Sequence, residues 1–379
     1  MGLVWGIDRG PRDPDHEGGP VSRATLADVA RLAGVSPSTV SLTFSGSGPV
    51  SAATRERVLT AAAELGYSGP DPLARSLRRG TSGVVGVITG GELAAHFRDP
   101  VAIRTLDGIA DTLGAHDLGM LLIRVNNGGE GVDLATRAAM DAAIFLRSVD
   151  GADEILQALT RRGTPVVLME SALPGAASVT MTDEEGMAEL GARVLALGHT
   201  RIAVVTLPWG RERRRGLRHG LDAAADAATY RFTRDRMTGL ARAGVRPTAV
   251  YETCGSLVEE GFEAAKALLD VSPNERPTAI IALSDLLAAG VVLAARELGL
   301  SIPHDLSVTG FDGVDLPWLA PDVIDSVEQP VARKGQLAGE MAVAMMRGEP
   351  PASVELGVWP RAGTTLGPVP ESRSSAEAG

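Results

Sequence analysis

The run ATLADVARLAGVSPSTVSLTFSGSGPVSAATRERVLTAAAELG, Ala24 to Gly66, sets helix starts, stops and a sharp turn so close together that it constrains the fold more than any other segment. Leu26, Val29, Ala30 and Leu32 recur on one side of a helix predicted over Thr25 to Leu32. Gly34 permits a tight turn. Ser36 reads as an N-cap with Pro37 at the first helical position, where a missing N–H costs nothing, so a second helix carries Ser38, Thr39, Val40, Ser41 and Leu42. A third helix opens at Ser51, carries Arg55, shows an apolar stripe of Val58, Leu59, Ala62 and Leu65, and ends at Gly66 as a C-cap. Two short helices joined by a Gly-containing turn are the arrangement that places a second helix in a DNA major groove. On the helical pattern alone, a small helical hairpin inside a larger fold fits equally well.

The next residues favour the DNA-binding reading. GPDPLARSLRRG, Gly69 to Gly80, joins turn formers, a helical turn predicted at Pro72 to Arg78 and the basic cluster Arg75, Arg78 and Arg79. Between Arg23 and Gly80 the bases Arg23, Arg31, Arg55, Arg57, Arg75, Arg78 and Arg79 outnumber Asp28, Glu56, Glu64 and Asp71, although the whole chain carries −11. A positive head on an acidic body fits a DNA reader joined to a sensor and argues against nonspecific coating of nucleic acid.

The segment Asp28 to Ser41, D-V-A-x-x-A-G-V-S-x-x-T-V-S, together with V-S-x-x-T-R-x-R-V at Val50 to Val58, L-G-Y at Leu65 to Tyr67 and A-R-S-L at Ala74 to Leu77, resembles the LacI/GalR (lactose and purine repressor) family of transcriptional regulators. The similarity continues with gaps to about Thr365. It implies a homodimer on a pseudo-palindromic double-stranded DNA operator, probed by a small-molecule effector; pairing of dimers into tetramers stays open. In such a frame Pro37, Ser38 and Leu42 occupy base-reading positions, and Thr25, Thr39, Ser45 and Thr54 lie near phosphates. Leu42 stands where many relatives carry Arg or His; a leucine can touch a thymine methyl but cannot grip guanine in two places. Leu77, flanked by Arg75, would wedge into the minor groove and select a deformable central step.

From Thr81 onward apolar strands alternate with helices. Strands are predicted at Val84 to Ile88, Gly119 to Val125, Ala142 to Leu146, Pro165 to Met169, Ile202 to Thr206, Ala249 to Thr253, Ala279 to Leu283 and Ser307 to Gly310. These are too many for one comfortable sheet, so two α/β lobes with a cleft are expected, in the type I periplasmic-binding-protein-like arrangement that the resemblance implies. The chain organisation reads as a disordered leader (1–22), helix-turn-helix domain (23–68), hinge helix and linker (69–80), effector domain (81–367) and disordered tail (368–379). The expected crossings near Glu170, Glu328 and Ser353 give one lobe of 81–170 and 329–352 and another of 171–328 and 353–367.

By resemblance, the cleft contacts are Asp312 in G-F-D (Gly310 to Asp312), Asp285 with Ser284 in place of the usual Asn, and an Arg three residues before Gly-Phe. Both Arg236 before Gly239-Leu240 and Arg213 before Gly216-Leu217 match that last position; Arg236 is favoured, making Trp209 to Asp235 an insertion with the basic run Arg211, Arg213, Arg214 and Arg215. Asp312 and Asp285 each have a plainer reading as helix caps, and the basic run as a solvated loop. Asp150, after the strand that ends near Arg147, and Gln329, at a crossing, complete the effector set. A sugar is the default ligand, with other small polar metabolites open; aromatics are 3% of the chain, and Trp209 and Trp318 are the expected stacking partners.

Other classes fit less well. Cys254 is the sole cysteine, so the chain can form no intrachain disulfide, and a cytoplasmic setting follows most simply. His16, His96, His116, His199, His219 and His304 are scattered without metal-ligand spacing, and GVVGVITGG at Gly83 to Gly91 lacks a P-loop Lys, so no enzyme, cofactor or metal is expected. No segment has the apolar run of a membrane span or a secretion signal. The competing reading is a solute-binding or sensor protein of the same two-lobed fold with a non-DNA role, which would have no use for the head.

Overall fold

The computed structural model describes residues 24–46, 48–69, 80–91, 93–125, 130–147, 152–173, 175–210, 212–218, 220–221 and 226–370. The chain divides into two compact units, one ending at Thr81 and one beginning at Ser82.

The first unit holds α1 (Leu26–Ala33), α2 (Pro37–Ser45) and α3 (Ala52–Glu64). Each starts on a hydroxyl cap: Thr25 accepts from Asp28 N, Ser36 from Thr39 N and Ser51 from Thr54 N. Asp28 returns the bond to Thr25 N, closing a capping box, and its carboxyl is held below the usual range by these hydrogen bonds and by Arg31. Gly34 turns the chain at φ +64, a conformation that glycine adopts without strain. The core consists of Val29, Ala30, Ala33, Val40, Val58, Ala61 and Ala62, closed by Leu26, Val35 and an edge-to-face pair of Phe44 and Tyr67 at 5.5 Å. So small a core makes each cap, at about 1 kcal/mol, a sizeable part of the unit's stability.

The three helices and the Ser36 cap follow the sequence reading, but Thr25 and Ser51 are caps rather than first helical residues, α3 is C-capped at Leu65 one residue before Gly66, and the buried faces differ. Leu32 and Leu59 are 47% exposed and Leu65 36%, while Ala33 and Ala61 face the core. One residue along a helix is a 100° rotation, and the short alanines allow the helices to approach where leucine would hold them apart.

The second unit contains two sheets, the first wholly parallel and the second parallel except for one edge strand. The first carries β1 (Val84–Gly90), β2 (Gly119–Val125), β3 (Ala142–Phe145), β4 (Val166–Met169), β5 (Ala177–Met181) and β12 (Ser353–Leu356), in the order β12-β5-β4-β3-β1-β2. Its helices are α4 (Leu93–His96), α5 (Pro100–Gly114), α6 (Val132–Arg137), α7 (Ala152–Arg161) and α12 (Val331–Met346). The second sheet, ordered β10-β9-β6-β8-β7, carries β6 (Ile202–Thr206), β7 (Gly216–Arg218), β8 (Ala249–Glu252), β9 (Ala279–Ala282) and β10 (Ser307–Thr309). Around it lie α8 (Asp183–Ala196), α9 (Arg231–Arg242), α10 (Val258–Leu269) and α11 (Asp285–Glu297). A short antiparallel pair, β11 (Ser326–Glu328) with β13 (Trp359–Arg361), runs beside it.

All eight strands read from the sequence are present, with ends shifted by at most two residues. The crossings lie elsewhere than expected. β5 pairs with β4 and β12 with β5, so the chain leaves the first sheet after Met181 rather than at Glu170, and again after Leu356 rather than at Ser353. Sheet membership is decided by pairing between distant segments, which local periodicity does not report. The presumed insertion supplies β7, an antiparallel edge strand on β8.

The helix layers lie backbone to backbone. A Cβ on Gly335 of α12 would fall on the carbonyl oxygen of Thr105 in α5, and one on Gly108 of α5 on that of Ala332. Gly261 of α10 and Gly290 of α11 face each other's backbones in the same way. Gly335→Ala is therefore expected to lower stability by about 1–3 kcal/mol through overpacking. Gly114→Ala, with nothing within 4 Å of the new methyl, should be neutral or slightly stabilising. Thermal unfolding of the two variants checks this; equal melting temperatures would show that the contact is not close.

Candidate functional site

The carboxyl ends of the two sheets face one another across a cleft with two connected chambers. The inner one, about 60 Å³, is lined from the first lobe by His96, Asp99, Thr105, Arg147 and Glu170, from the second by Phe232, Arg236, Ser256, Ser284 and Asp312, and from the crossing by Gln329 and Lys334. The outer, about 370 Å³, shares His96, Asp99, Arg147, Phe232 and Ser256 with it and adds Arg98, Arg213, Tyr230 and Cys254.

A chain of buried polar groups crosses the inner chamber. Lys334 Nζ donates to Glu170 Oε1 at 2.5 Å and to Gln329 Oε1 at 2.8 Å. Gln329 Nε2 donates to Asp312 Oδ1 at 2.6 Å. The same oxygen lies 3.6 Å from Arg236, whose Nε donates to Asp183 Oδ2 at 3.2 Å and whose other arm donates to the Leu283 carbonyl at 2.6 Å. Phe311 supports the guanidinium from below, its ring centre 3.7 Å from the central carbon. All of these polar side chains except the half-buried Glu170 are buried.

Burial and charge compete here. Burial pushes the Asp312 carboxyl up to about 7 and Asp183 to about 6, against the attraction of the one guanidinium they share. Burial also opposes the ionisation of Glu170, but Lys334 in direct contact prevails and holds that carboxyl below the usual range.

Backbone strain concentrates at the same place. Asp312 sits at φ +116, Glu170 at φ +59 and Arg213 at φ +44. Non-glycine residues in such conformations cost on the order of 1–3 kcal/mol and persist only where neighbours hold them. For Asp312 the hold is explicit: its N–H donates to the Val327 carbonyl at 2.8 Å and its carbonyl accepts from Gln329 N at 3.3 Å.

Four of the residues read as effector contacts, Arg236, Ser284, Asp312 and Gln329, come together on the inner chamber. Asp285 does not. Its Oδ2 accepts from Val314 N at 2.8 Å and its Oδ1 from Ser326 Oγ at 2.6 Å, so it braces the turn after Phe311 onto β11 instead of facing the cleft. Burial and nearby Asp312 raise its carboxyl well above the ordinary value. The cap of α11 is Ser284, which accepts from Leu287 N, and its hydroxyl also receives Ser256 Oγ at 2.9 Å. Asp150 lies outside the described residues.

The aromatic wall is also a correction. Trp318 is 53% exposed on a single 3-10 turn, and Trp209 turns its Nε1 to Thr206 under the Arg218 guanidinium; neither lines a chamber. Phe232 and Tyr230, stacked at 5.7 Å, take that place. Asp99, Glu170, Phe232 and Lys334 had no local signal as site residues, since each reads as an ordinary cap, strand end or helix position. Arg236 and Arg213 both face the cleft, the first in the inner chamber and the second in the outer. Of the remaining basic run, Arg214 pairs with Glu212 and Arg215 with Glu260.

On the head, Pro37 and Ser38 are exposed at the start of α2, Thr39 and Leu42 are half-buried behind them, Thr25 and Ser45 are exposed, and Thr54 is half-buried. Ser38 Oγ lies 2.7 Å from Ser36 Oγ. The Leu42 side chain bends back onto Gly48, where a Cβ would meet it at 2.8 Å. Arg75 and Leu77 lie outside the described residues.

A helix-turn-helix head and a two-lobed body with a polar cleft define a class of ligand-responsive DNA-binding proteins, and comparison with known proteins agrees. Residues 25–69 match the family described as bacterial regulatory proteins, lacI family, and residues 192–362 a periplasmic binding protein-like domain. An HTH-type transcriptional regulator of Mycobacterium tuberculosis is 36% identical over 92% of this chain and 98% of its own length. The HTH-type regulator IpsA of Corynebacterium glutamicum is 32% identical over 91% and 98%. The crystal structure of the lac repressor dimer bound to operator and the anti-inducer ONPF is 25% identical, with a TM-score of 0.71 over 90% of this chain and 98% of that one. The chain belongs to the LacI family of DNA-binding transcriptional regulators. No helix among the described residues is long and apolar enough to cross a membrane.

Asp312 yields a pH test. Its raised value means that the folded state binds the proton more tightly than the unfolded chain. The associated stability is full below about pH 4 and is lost as pH rises through about 7. Asp312→Asn cannot ionise and can still accept from Gln329, so its melting temperature should gain on wild type by several degrees between pH 4.5 and 8. A difference that stays flat with pH would show that Asp312 ionises as in water.

Proposed function

We propose that this regulator, acting in the cytoplasm, is a repressor that binds a pseudo-palindromic operator as a homodimer and releases or tightens on it when a small polar metabolite, by default a sugar, fills the cleft. The observation that carries the effector half is the origin of the cavity wall: Glu170 and Asp99 come from one lobe, Arg236 and Asp312 from the other, and Gln329 and Lys334 from a crossing. A ligand held by groups from both lobes prefers one lobe arrangement, and that differential affinity is what shifts an equilibrium. Phe232 and Tyr230 offer a stacking face for a sugar ring, with hydroxyl partners on the inner chamber. The operator-bound lac repressor dimer, similar over nearly its whole length, supports the DNA half.

In this reading Pro37, Ser38 and Leu42 touch base edges, and Thr25, Thr39, Ser45 and Thr54 touch phosphates. Arg75 and Leu77 serve the minor groove at the dyad. Selection from random duplexes with the full chain should enrich two inverted half-sites, with affinity falling steeply as salt rises. Leu42→Ala should relax preference at one position per half-site while leaving the others. Enrichment of a sequence without two-fold symmetry would sink the homodimer, and no salt dependence would sink the phosphate assignments.

A further inference from the structure

The outer chamber is unbalanced in charge. Arg98, Arg147 and Arg213 line it against one carboxylate, Asp99. That carboxylate is already committed: Oδ1 accepts from Val101 N at 2.9 Å as the cap of α5, and Oδ2 accepts from Arg147 at 3.2 Å. Arg98 is paired with Glu259 across the cleft.

Arg213 stands differently. No carboxylate pairs with it among the described residues, and its Nε is buried without a hydrogen-bond partner. A buried donor of a charged group left unpaired is costly, and such orphans call for an explanation. Its neighbours in the same loop, Arg214 and Arg215, each have an acid, so the loop is not generally short of partners. The position is also enforced. Arg213 is held at φ +44, its carbonyl accepts from Cys254 Sγ at 2.9 Å, and its guanidinium lies across the cleft against Gly91, where a Cβ would come within 2.9 Å of it. A side chain from the second lobe is thus placed over the end of β1 in the first. The segment Gly255 to Leu257, which leads into α10, borders the same space.

We propose that the effector is an anionic metabolite: a sugar-sized polar body in the outer chamber, about 370 Å³, with hydroxyls reaching the polar groups of the smaller inner chamber, and bearing an oxyanion, phosphate ester or carboxylate, that sits on Arg213 and Arg147. The proposal rests on the effector reading of the cleft and narrows its ligand class. The oxyanion pairs with the terminal nitrogens of Arg213, which no described carboxylate meets, and draws the two lobes together through a side chain that already spans them. Arginine suits the role, since its fork of donors matches two oxygens at once.

The test uses the full-length wild type, Arg213→Gln and the control Arg214→Gln. Probes are inorganic phosphate, hexose phosphates, hexuronates and the parent neutral hexoses, read by thermal shift and calorimetry at low and high salt. Circular dichroism and ligand-free melting establish that each variant folds. An anionic probe is expected to stabilise wild type and Arg214→Gln, and to bind Arg213→Gln at least tenfold more weakly, with affinity in wild type falling as salt rises; the phosphate and hexuronate arms tell the two oxyanions apart. If a neutral hexose binds all three proteins equally and independently of salt while the anions do not, the anionic class is wrong and the effector reading stands. If no probe of either charge binds at millimolar concentration, both fall together.

Discussion

The architecture of the cleft depends on one buried guanidinium. Arg236 is reached by Asp183 at the start of α8, by Asp312 after β10 and by the Leu283 carbonyl after β9, with the Phe311 ring beneath it. A charge removed from water this completely stays only where several oxygens surround it. The need to surround it fixes the ends of separate elements to within a hydrogen-bond length. Through Asp312 the arrangement passes to Gln329 and Lys334, and through Lys334 to Glu170 in the other lobe. Removing one member leaves its neighbours unpaired in a low dielectric, so the group behaves as a unit.

The same arrangement explains why so much strain is found in one place. Asp312 and Glu170 both adopt left-handed backbone conformations that glycine would tolerate better, yet both supply carboxylates to the buried chain. A glycine would relieve the backbone and abolish the charge. At Asp312 the cleft keeps the carboxyl group and holds the backbone through hydrogen bonds with Val327 of β11 and Gln329 just after it, which identifies chemistry rather than folding economy as what this turn serves.

Much of the molecule was legible in its sequence wherever the governing chemistry is local. The cap at Ser36, the turn at Gly34, the helix starts near Thr25 and Ser51 and the buried strands depend on residues within a few positions of one another, and they read correctly to within a residue or two. Leu32, Leu59 and Leu65 did not, since which of two adjacent apolar residues faces inward depends on how closely the partner helix approaches. In the cleft, Arg236, Asp312, Ser284 and Gln329 were reached through resemblance to relatives, whereas Lys334, Glu170 and Asp99 became visible only once distant segments were brought together. The tryptophans misled for the same reason. Rarity made Trp209 and Trp318 conspicuous, but position is set by the fold, and the fold gives the cleft to Phe232 and Tyr230.

The glycine contacts between helices bear on how such a body can move. Where side chains interlock, a layer can absorb a small push by changing rotamers. Where Gly108 and Gly335, or Gly261 and Gly290, bring main chain against main chain, no rotamer is left to change. These main-chain contacts lie in the helix layers that cover the two sheets, whose strands lead out of their lobes after Met181, Glu328 and Leu356, so at those seams a push from the cleft has no side-chain rotamer to absorb it.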